Sequence, residues 1–331
     1  MSDVTETETA GLSDPVNWWK LLVILVIGTL PILLGLHLVM PRGIGVFFDL
    51  ASIQFIFAPL CISAAYLYWR KSISPFEVFL VLGIPLGLLG GNIGFHGFAM
   101  NITDPSEAGE ATSIGLLTAL FGAFASSIGY FGSRFAESSQ SARISGADLA
   151  FCLVVFAVFW ILPMSQGVGL LAFMSPQVLL TYVGFIVLAI FLKRDEKKTL
   201  VHCISDAALA GALFSLVAAI VVWFGSSSQV SRTAIGFGSL GVMYGTIIYI
   251  VCYFVSLKTG DSKKINFTTK NWHLVEANTF YVFLIVAPVN LIESITNEQE
   301  KEERIEMTQK HDALRSEVAL LTERLAKLED S

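Results

Sequence analysis

Charge is scarce in this chain of 331 residues: Asp, Glu, Lys and Arg make up 15% of it, against 54% apolar residues. The formal net charge of -6 comes from acids in two tails and one loop, and no basic patch with interleaved aromatics exists. That distribution excludes an electrostatic surface built for nucleic acid. Cysteine is scarce too. Cys61, Cys152, Cys203 and Cys252 lie in or at the edge of apolar blocks, with no CxxC pair and no histidine at ligand spacing. Neither a disulfide framework nor a metal site is expected, and the thiols read as buried and inert. The sequence also lacks a nucleophile beside a base, a carboxylate pair and a phosphate-cradling loop, so neither enzymatic activity nor a cofactor is expected.

What the chain has instead is a series of apolar blocks of about 17 to 24 residues, the length of a membrane-spanning helix. They lie at about residues 18–40, 52–69, 76–100, 112–132, 147–164, 176–192, 204–224 and 234–257. The predicted fold class is an all-α polytopic membrane protein. Residues 1–17 form an acidic tail without the basic n-region and small-residue cleavage site of a signal peptide, and are expected to stay attached. Basic residues mark alternate loops: Arg70 and Lys71, Arg134 and Arg143, Lys193 to Lys198, and Lys258 to Lys270. By the positive-inside rule those loops and the N-terminus are cytoplasmic, while Asp104, Glu107 and Glu110 face outward.

Glycine is densest in residues 85–130, where two apolar segments are joined by a loop with acids and no base. Lipid tails are as apolar as leucine, so helices in a bilayer associate through close packing, and small residues mark where backbones approach. The pattern predicts a tight helix hairpin with Pro85, Gly87, Gly90, Gly94, Gly115 and Gly122 as packing positions, and Gly245 in an equivalent place further on.

An offset of 123 residues brings Ser52 and Gln54 onto Ser175 and Gln177, Arg70 and Lys71 onto Lys193 and Arg194, Gly115 onto Gly238 and Gly122 onto Gly245, without a gap. Duplication of a four-helix unit accounts for this, with one copy at 18–135 and another at 141–258. An even number of spans returns the chain to its starting side, so the copies are parallel. The second copy replaces Gly90, Gly91 and Gly94 by Leu213, Phe214 and Val217, and Thr118 by Gly241. A functional groove is therefore expected in the first.

A basic loop at 259–273 leads to an apolar stretch at 274–292 that contains Pro288. Its length favours an interfacial or re-entrant helix; the basic loop before it and the acids after it favour a ninth span, which is expected and would put residues 293–331 outside. In that tail Met307, Leu314, Val318, Leu321, Leu325 and Leu328 fit an a/d ladder, with His311 filling one position and charges on the flanks. A coiled coil for self-association or a partner helix is expected, the alternative being an amphipathic helix lying on the protein.

The run Pro85-Leu86-Gly87-Leu88-Leu89-Gly90, then Gly94, Asp104-Pro105, Gly109, Ser113-Ile114-Gly115-Leu116-Leu117-Thr118 and Gly122-Ala123, resembles the third and fourth helices of the MotA/TolQ/ExbB proton-channel family. Asp49-Leu50-Ala51-Ser52 is similar to the start of the preceding helix in the MotA branch. The resemblance covers mainly residues 45–135, with a fainter copy over 168–257. It implies a channel-forming subunit of a proton-motive-force-driven complex in the bacterial inner membrane. It also implies a homo-oligomer working with a single-span membrane partner whose aspartate carries the proton. Gly91 and Asn92 stand where the family has threonine and valine, and the family's large cytoplasmic domain is reduced to a turn at residues 70–75. Family rings have an odd number of subunits, so either only the first copies line the centre or the stoichiometry differs.

Asn92 and His96, four residues apart, share a helix face, and an ionisable group within a span is a functional hypothesis by default. Thr118 stands at the family's threonine position, and its role as a lining hydroxyl is implied by the resemblance alone. Each of these proton-path candidates also has a structural reading: His96 bonded to a carbonyl near the headgroups, Asn92 bridging helices, Thr118 bonded back to its own helix. His37, Asp148, Asp206 and Glu276 read as interfacial groups. Two further readings stay open: a parallel-repeat transporter binding a small solute between its halves, and a membrane scaffold presenting the coiled coil.

Overall fold

The computed structural model describes residues 49–101, 105–134, 143–166, 169–191, 199–225, 231–261 and 267–282, together with six positions between 307 and 315. The acidic tail at 1–17, the span at 18–40, residues 283–292 and most of the tail beyond them lie outside the described residues. Residues 49–282 form, in order, α1 (Leu50–Trp69), α2 (Pro75–Met100), α3 (Pro105–Ser133), α4 (Gly146–Gln166), a 3-10 turn (Leu170–Phe173), α5 (Pro176–Phe191), α6 (Leu200–Gly225), α7 (Ser231–Thr259) and α8 (Phe267–Tyr281). The described elements are all helical, which satisfies the backbone within each segment as hydrocarbon demands. Seven helical segments among the described residues, α1 to α4, the 3-10 turn with α5, α6 and α7, are long and apolar enough to cross a membrane. The chain is a multi-pass membrane protein.

Helix starts follow local chemistry. Asp49 caps α1, its carboxylate accepting from the backbone N–H groups of Ala51 (3.3 Å) and Ser52 (2.9 Å). Pro75 opens α2 in the first turn, where a missing N–H leaves nothing unbonded. Ser145 and Asp148 form a reciprocal cap on α4: the Ser145 N–H donates to Asp148 Oδ2 (2.9 Å) and the Asp148 N–H to Ser145 Oγ (3.2 Å). Asp148, expected as an interfacial group near a span end, stands in the first turn of α4 and is buried there, its carboxylate also accepting from Tyr66 Oη (2.8 Å) and Arg70 Nε (3.2 Å), which ties the end of α1 to the start of α4.

Helices α2 and α7 form the centre, with 78% and 72% of their apolar windows buried, whereas the span containing α5 is only 17% buried. Helix α2 packs along α3 on one side and against α7 on another, α6 pairs with α7, and α8 lies against α2 and α6. The exposed side of α5, with Leu179, Leu180, Val183 and Val187, is an apolar surface. Of the four thiols, Cys152, Cys203 and Cys252 are buried as expected, and Cys61 is exposed on α1.

The α2/α3 hairpin has the expected close seam. A Cβ on Gly94 would sit 2.6 Å from Ala111 O and from Gly115 Cα, and one on Gly87 would sit 2.9 Å from Gly122 Cα. A Cβ on Gly122 would collide with Gly87 Cα, and one on Gly90 would reach Thr118 Cβ at 2.9 Å. Gly115, Gly122 and Gly129 recur every seven residues, the interval that keeps positions on one seam of a pair of supercoiled helices. Ser126 adds a hydrogen bond across it, its Oγ donating to Leu80 O at 2.9 Å. In the α6/α7 pair the small residues make room for an aromatic side chain. Tyr182 of α5 fills a slot between Gly211 and Gly245 and donates from Oη to Gly241 O at 2.6 Å.

Residues 282–331 form a separate unit. Its described positions are helical, and Met307 and Leu314, two of the expected a/d residues, are exposed.

Candidate functional site

Pro85 sits inside α2 and carries no N–H, so the carbonyl of Val81, one turn earlier, has no intrahelical donor. Asn271 of α8 supplies one: its Nδ2 donates to Val81 O at 2.9 Å. Two turns on, along the same face of α8, Asn278 meets Asn92 of α2, whose Nδ2 donates to Asn278 Oδ1 (3.1 Å) and to Leu88 O (2.7 Å). Between the two contacts Leu274 packs with Leu88 and Ala212. At its start α8 is held by Lys270, which lies 2.7 Å from Asp206 Oδ1 and donates to Ser205 Oγ at 3.1 Å.

Sequence reasoning missed this arrangement. It placed the start of the last apolar stretch at 274, but the helix begins at Phe267 and includes Lys270 and Asn271. Hydropathy reads such residues as loop. They are tolerated in a buried helix because each finds a partner on α2 or α6. The available clue was Pro85, which announces a stranded carbonyl on α2 and hence a need for a polar side chain elsewhere.

The three candidates on the hairpin are all buried: Asn92 is 0% exposed, Thr118 3% and His96 4%. Thr118 Oγ1 bonds back to Ile114 O (3.0 Å) and Gly115 O (2.9 Å). His96 Nε2 lies 2.9 Å from Ala172 O in the 3-10 turn, and its ring is 5.0 Å from that of Phe173. A carbonyl only accepts, so Nε2 carries a proton in this contact. Neither His96 Nδ1 nor Asn92 Oδ1 has a hydrogen-bond partner among the described residues.

Two cavities flank α2. One, of about 650 Å³, lies between α1, α2 and α3, with Pro163 of α4 and Phe173 of the 3-10 turn closing it, and is lined by Ser52, Phe55, Gly90, Gly94, Ile114 and Thr118, with Glu110 at its wall. The other, of about 470 Å³, has His96 at its wall with Ser175, Gln177, Thr233, Gly236 and Phe237. Thr118 and His96 thus open onto different cavities, and Asn92 lines neither. The structure brings Asn92 and His96 onto one side of α2 but does not join them to Thr118.

Among the described residues no group of three His, Cys, Asp or Glu side chains stands together as a metal site would require. Compared with known proteins, the chain matches no family model, and neither a curated protein nor a solved structure shows significant similarity to it.

Proposed function

We propose that the chain is a channel-forming subunit of a proton-motive-force-driven complex, working as a homo-oligomer with a single-span partner that contributes a proton-carrying aspartate. The observation that carries this reading is the groove beside the glycine seam, which has Thr118 and Ser52 in a mostly apolar wall, with Asn101 and Glu110 as its other polar members. Side chains are held back along this seam by the close approach of α2 and α3, so a partner's acid entering the groove meets a hydroxyl in a low-dielectric setting. The arrangement of basic loops supports a cytoplasmic N-terminus, the family resemblance implies a bacterial inner membrane, and the same reading takes 274–292 as a ninth span with the coiled-coil tail beyond it.

The test is proton flux in proteoliposomes holding the chain with its co-purified single-span protein, normalised to assembled complex. Thr118→Val keeps the side chain's shape and removes its hydroxyl, and should abolish flux while leaving assembly intact. Asn92→Leu and His96→Gln report whether the path also uses the far side of α2. Flux that survives Thr118→Val removes the groove as the conducting element.

The second cavity favours another reading, a transporter of two parallel four-helix copies. Its lining takes His96 from the first copy and Ser175, Gln177, Thr233 and Gly236 from the second, and parallel-repeat transporters bind solute between their halves. The hairpins α2/α3 and α6/α7 are the equivalent pairs at the 123-residue offset. The helices that meet across the halves, α2 and α7, are not equivalent members of those pairs, so the two halves contribute different surfaces to the cavity. Solute uptake by the purified chain alone, with no partner present, would distinguish this reading from the first.

A further inference from the structure

Cations from three separate segments gather at the start of α4. Arg70, which closes α1, donates from Nε to Asp148 Oδ1 at 3.2 Å and keeps half of its side chain exposed. Lys258, in the last turn of α7, reaches across to α4: a Cβ built on Gly146 would lie 3.7 Å from its Nζ. Arg143, just before α4, reaches the opposite way, and a Cβ on Gly260 would lie 2.8 Å from its Nε. Gly260 has a φ of 80°, so the chain leaves α7 by a left-handed turn with no side chain between it and the guanidinium.

Asp148 is buried and already answers Arg70. Arg143 and Lys258 are exposed, and neither is ion-paired among the described residues. By sequence, segments 134–148 and 258–264 carry Arg134, Arg143, Lys258, Lys263 and Lys264 against Glu137, Asp148 and Asp261, a positive balance. Two cations crossing between the same pair of segments repel each other, and an anion shared by both reverses the sign of that interaction.

The surface next to the cations says which anion fits. Seen down the α4 axis, Gly146 and Asp148 stand roughly 100° to either side of Ala147. Ala150, Phe151, Val154 and Val158 fall in the sector between them, and all four are exposed together with Ala147. An apolar strip thus runs along a membrane-crossing helix directly from the cation cluster. A free phosphate would use the cations and ignore the strip, whereas a phospholipid uses both. Trp69, exposed and one residue before Arg70, sits where indoles settle between headgroups and acyl chains. The cations also belong to the basic loops that the positive-inside rule places in the cytoplasm, the side on which anionic lipids collect.

We propose that the start of α4 binds an anionic phospholipid, with the headgroup phosphate between Arg143 and Lys258 and the acyl chains along Ala150, Val154 and Val158. The inference stands apart from the channel and transporter readings, and its test needs no measurement of flux.

The experiment titrates the full chain in neutral detergent with phosphatidylglycerol and with phosphatidylcholine of identical acyl chains, counting bound lipids by native mass spectrometry. Phosphatidylglycerol should bind more tightly. Each cation at a membrane surface is worth about fivefold, so Arg143→Gln with Lys258→Gln should weaken phosphatidylglycerol about twentyfold and leave phosphatidylcholine unchanged. Arg143→Lys with Lys258→Arg keeps both charges and should keep the preference. Lys71→Gln with Arg134→Gln, which removes the same charge elsewhere on that side, should change the affinity by less than about threefold. Glycerol 3-phosphate, which carries the anion without the chains, should fail to displace the lipid at equal concentration. Equal binding of the two lipids overturns the proposal, as does an equal loss in both glutamine pairs, which would make the attraction a diffuse field. Loss of the preference in the charge-conserving pair would assign it to packing, and displacement by glycerol 3-phosphate would make this a site for soluble phosphates; either result also overturns it.

Discussion

Asn271 donates to the carbonyl of Val81, the one acceptor in α2 that Pro85 deprives of its helical partner. The two residues that create and fill this need, Pro85 and Asn271, lie far apart in sequence and on different helices. Their relation can be tested as a coupling. Asn271→Leu in the natural background strands a buried carbonyl and should destabilise the protein by about 1–3 kcal/mol. Pro85→Ala restores the N–H that Val81 O lacks, so the same Asn271→Leu change should then cost clearly less. Thermal unfolding of the four variants in one detergent measures the coupling, and equal costs in both backgrounds would break the proposed link.

The glycine seam makes a sharper prediction than helix propensity alone. A methyl group on Gly122 would meet the Cα and N of Gly87 and the carbonyl of Gly83, all backbone, so no side chain can swing aside and the helices must separate. A methyl on Gly184 of α5 would meet nothing within 4 Å. Gly122→Ala should therefore cost about 2 kcal/mol or more. Gly184→Ala should be neutral or slightly stabilising, since alanine orders a helix at lower entropic cost than glycine. Unfolding midpoints of the two variants, both single-methyl additions, make the comparison direct.

At the Arg70 end of the bundle, Asp148 gathers a helix cap, a phenol and a guanidinium on one buried carboxylate. Asp148→Ala removes all three at once and should cost about 2 kcal/mol, with the cap and the Tyr66 bond as the main losses. Arg70 adds little to that figure, because half of its side chain is exposed and water replaces the carboxylate. Tyr66→Phe should lose about 1 kcal/mol. If Arg70→Ala proved as damaging as Asp148→Ala, the ion pair rather than the cap would be holding α1 to α4.

The sequence exposes these features unevenly. Helices α1 to α7 are readable from hydropathy because the bilayer imposes a length and an apolar composition on each, and the seam is readable because only small residues let backbones touch. Helix α8 is not, since its residues Lys270, Asn271 and Asn278 are polar and their acceptability depends on Asp206, Val81 and Asn92, which no local window contains. The same holds for the pairing of α2 with α7, which is set by packing between distant segments. Among the candidates, Asn92 and His96 were identifiable as polar groups in an apolar run. The partner carbonyl of His96, in a short turn after α4, carries no signal in its own side chain, because Ala172 contributes only backbone.

The polar face of α8 also bears on how the molecule is put together during synthesis. A segment carrying Lys270, Asn271 and Asn278 gains little from lipid, and each of these side chains costs free energy at bilayer depth unless a partner is already there. The partners lie on α2 and α6, which leave the ribosome earlier. Helix α8 is thus recruited by the assembled bundle rather than delivered to the bilayer on its own merits. A nascent chain cut short before Phe267 would hold Val81 O and Asn92 without their companions, so the bundle is finished only when its last described helix docks.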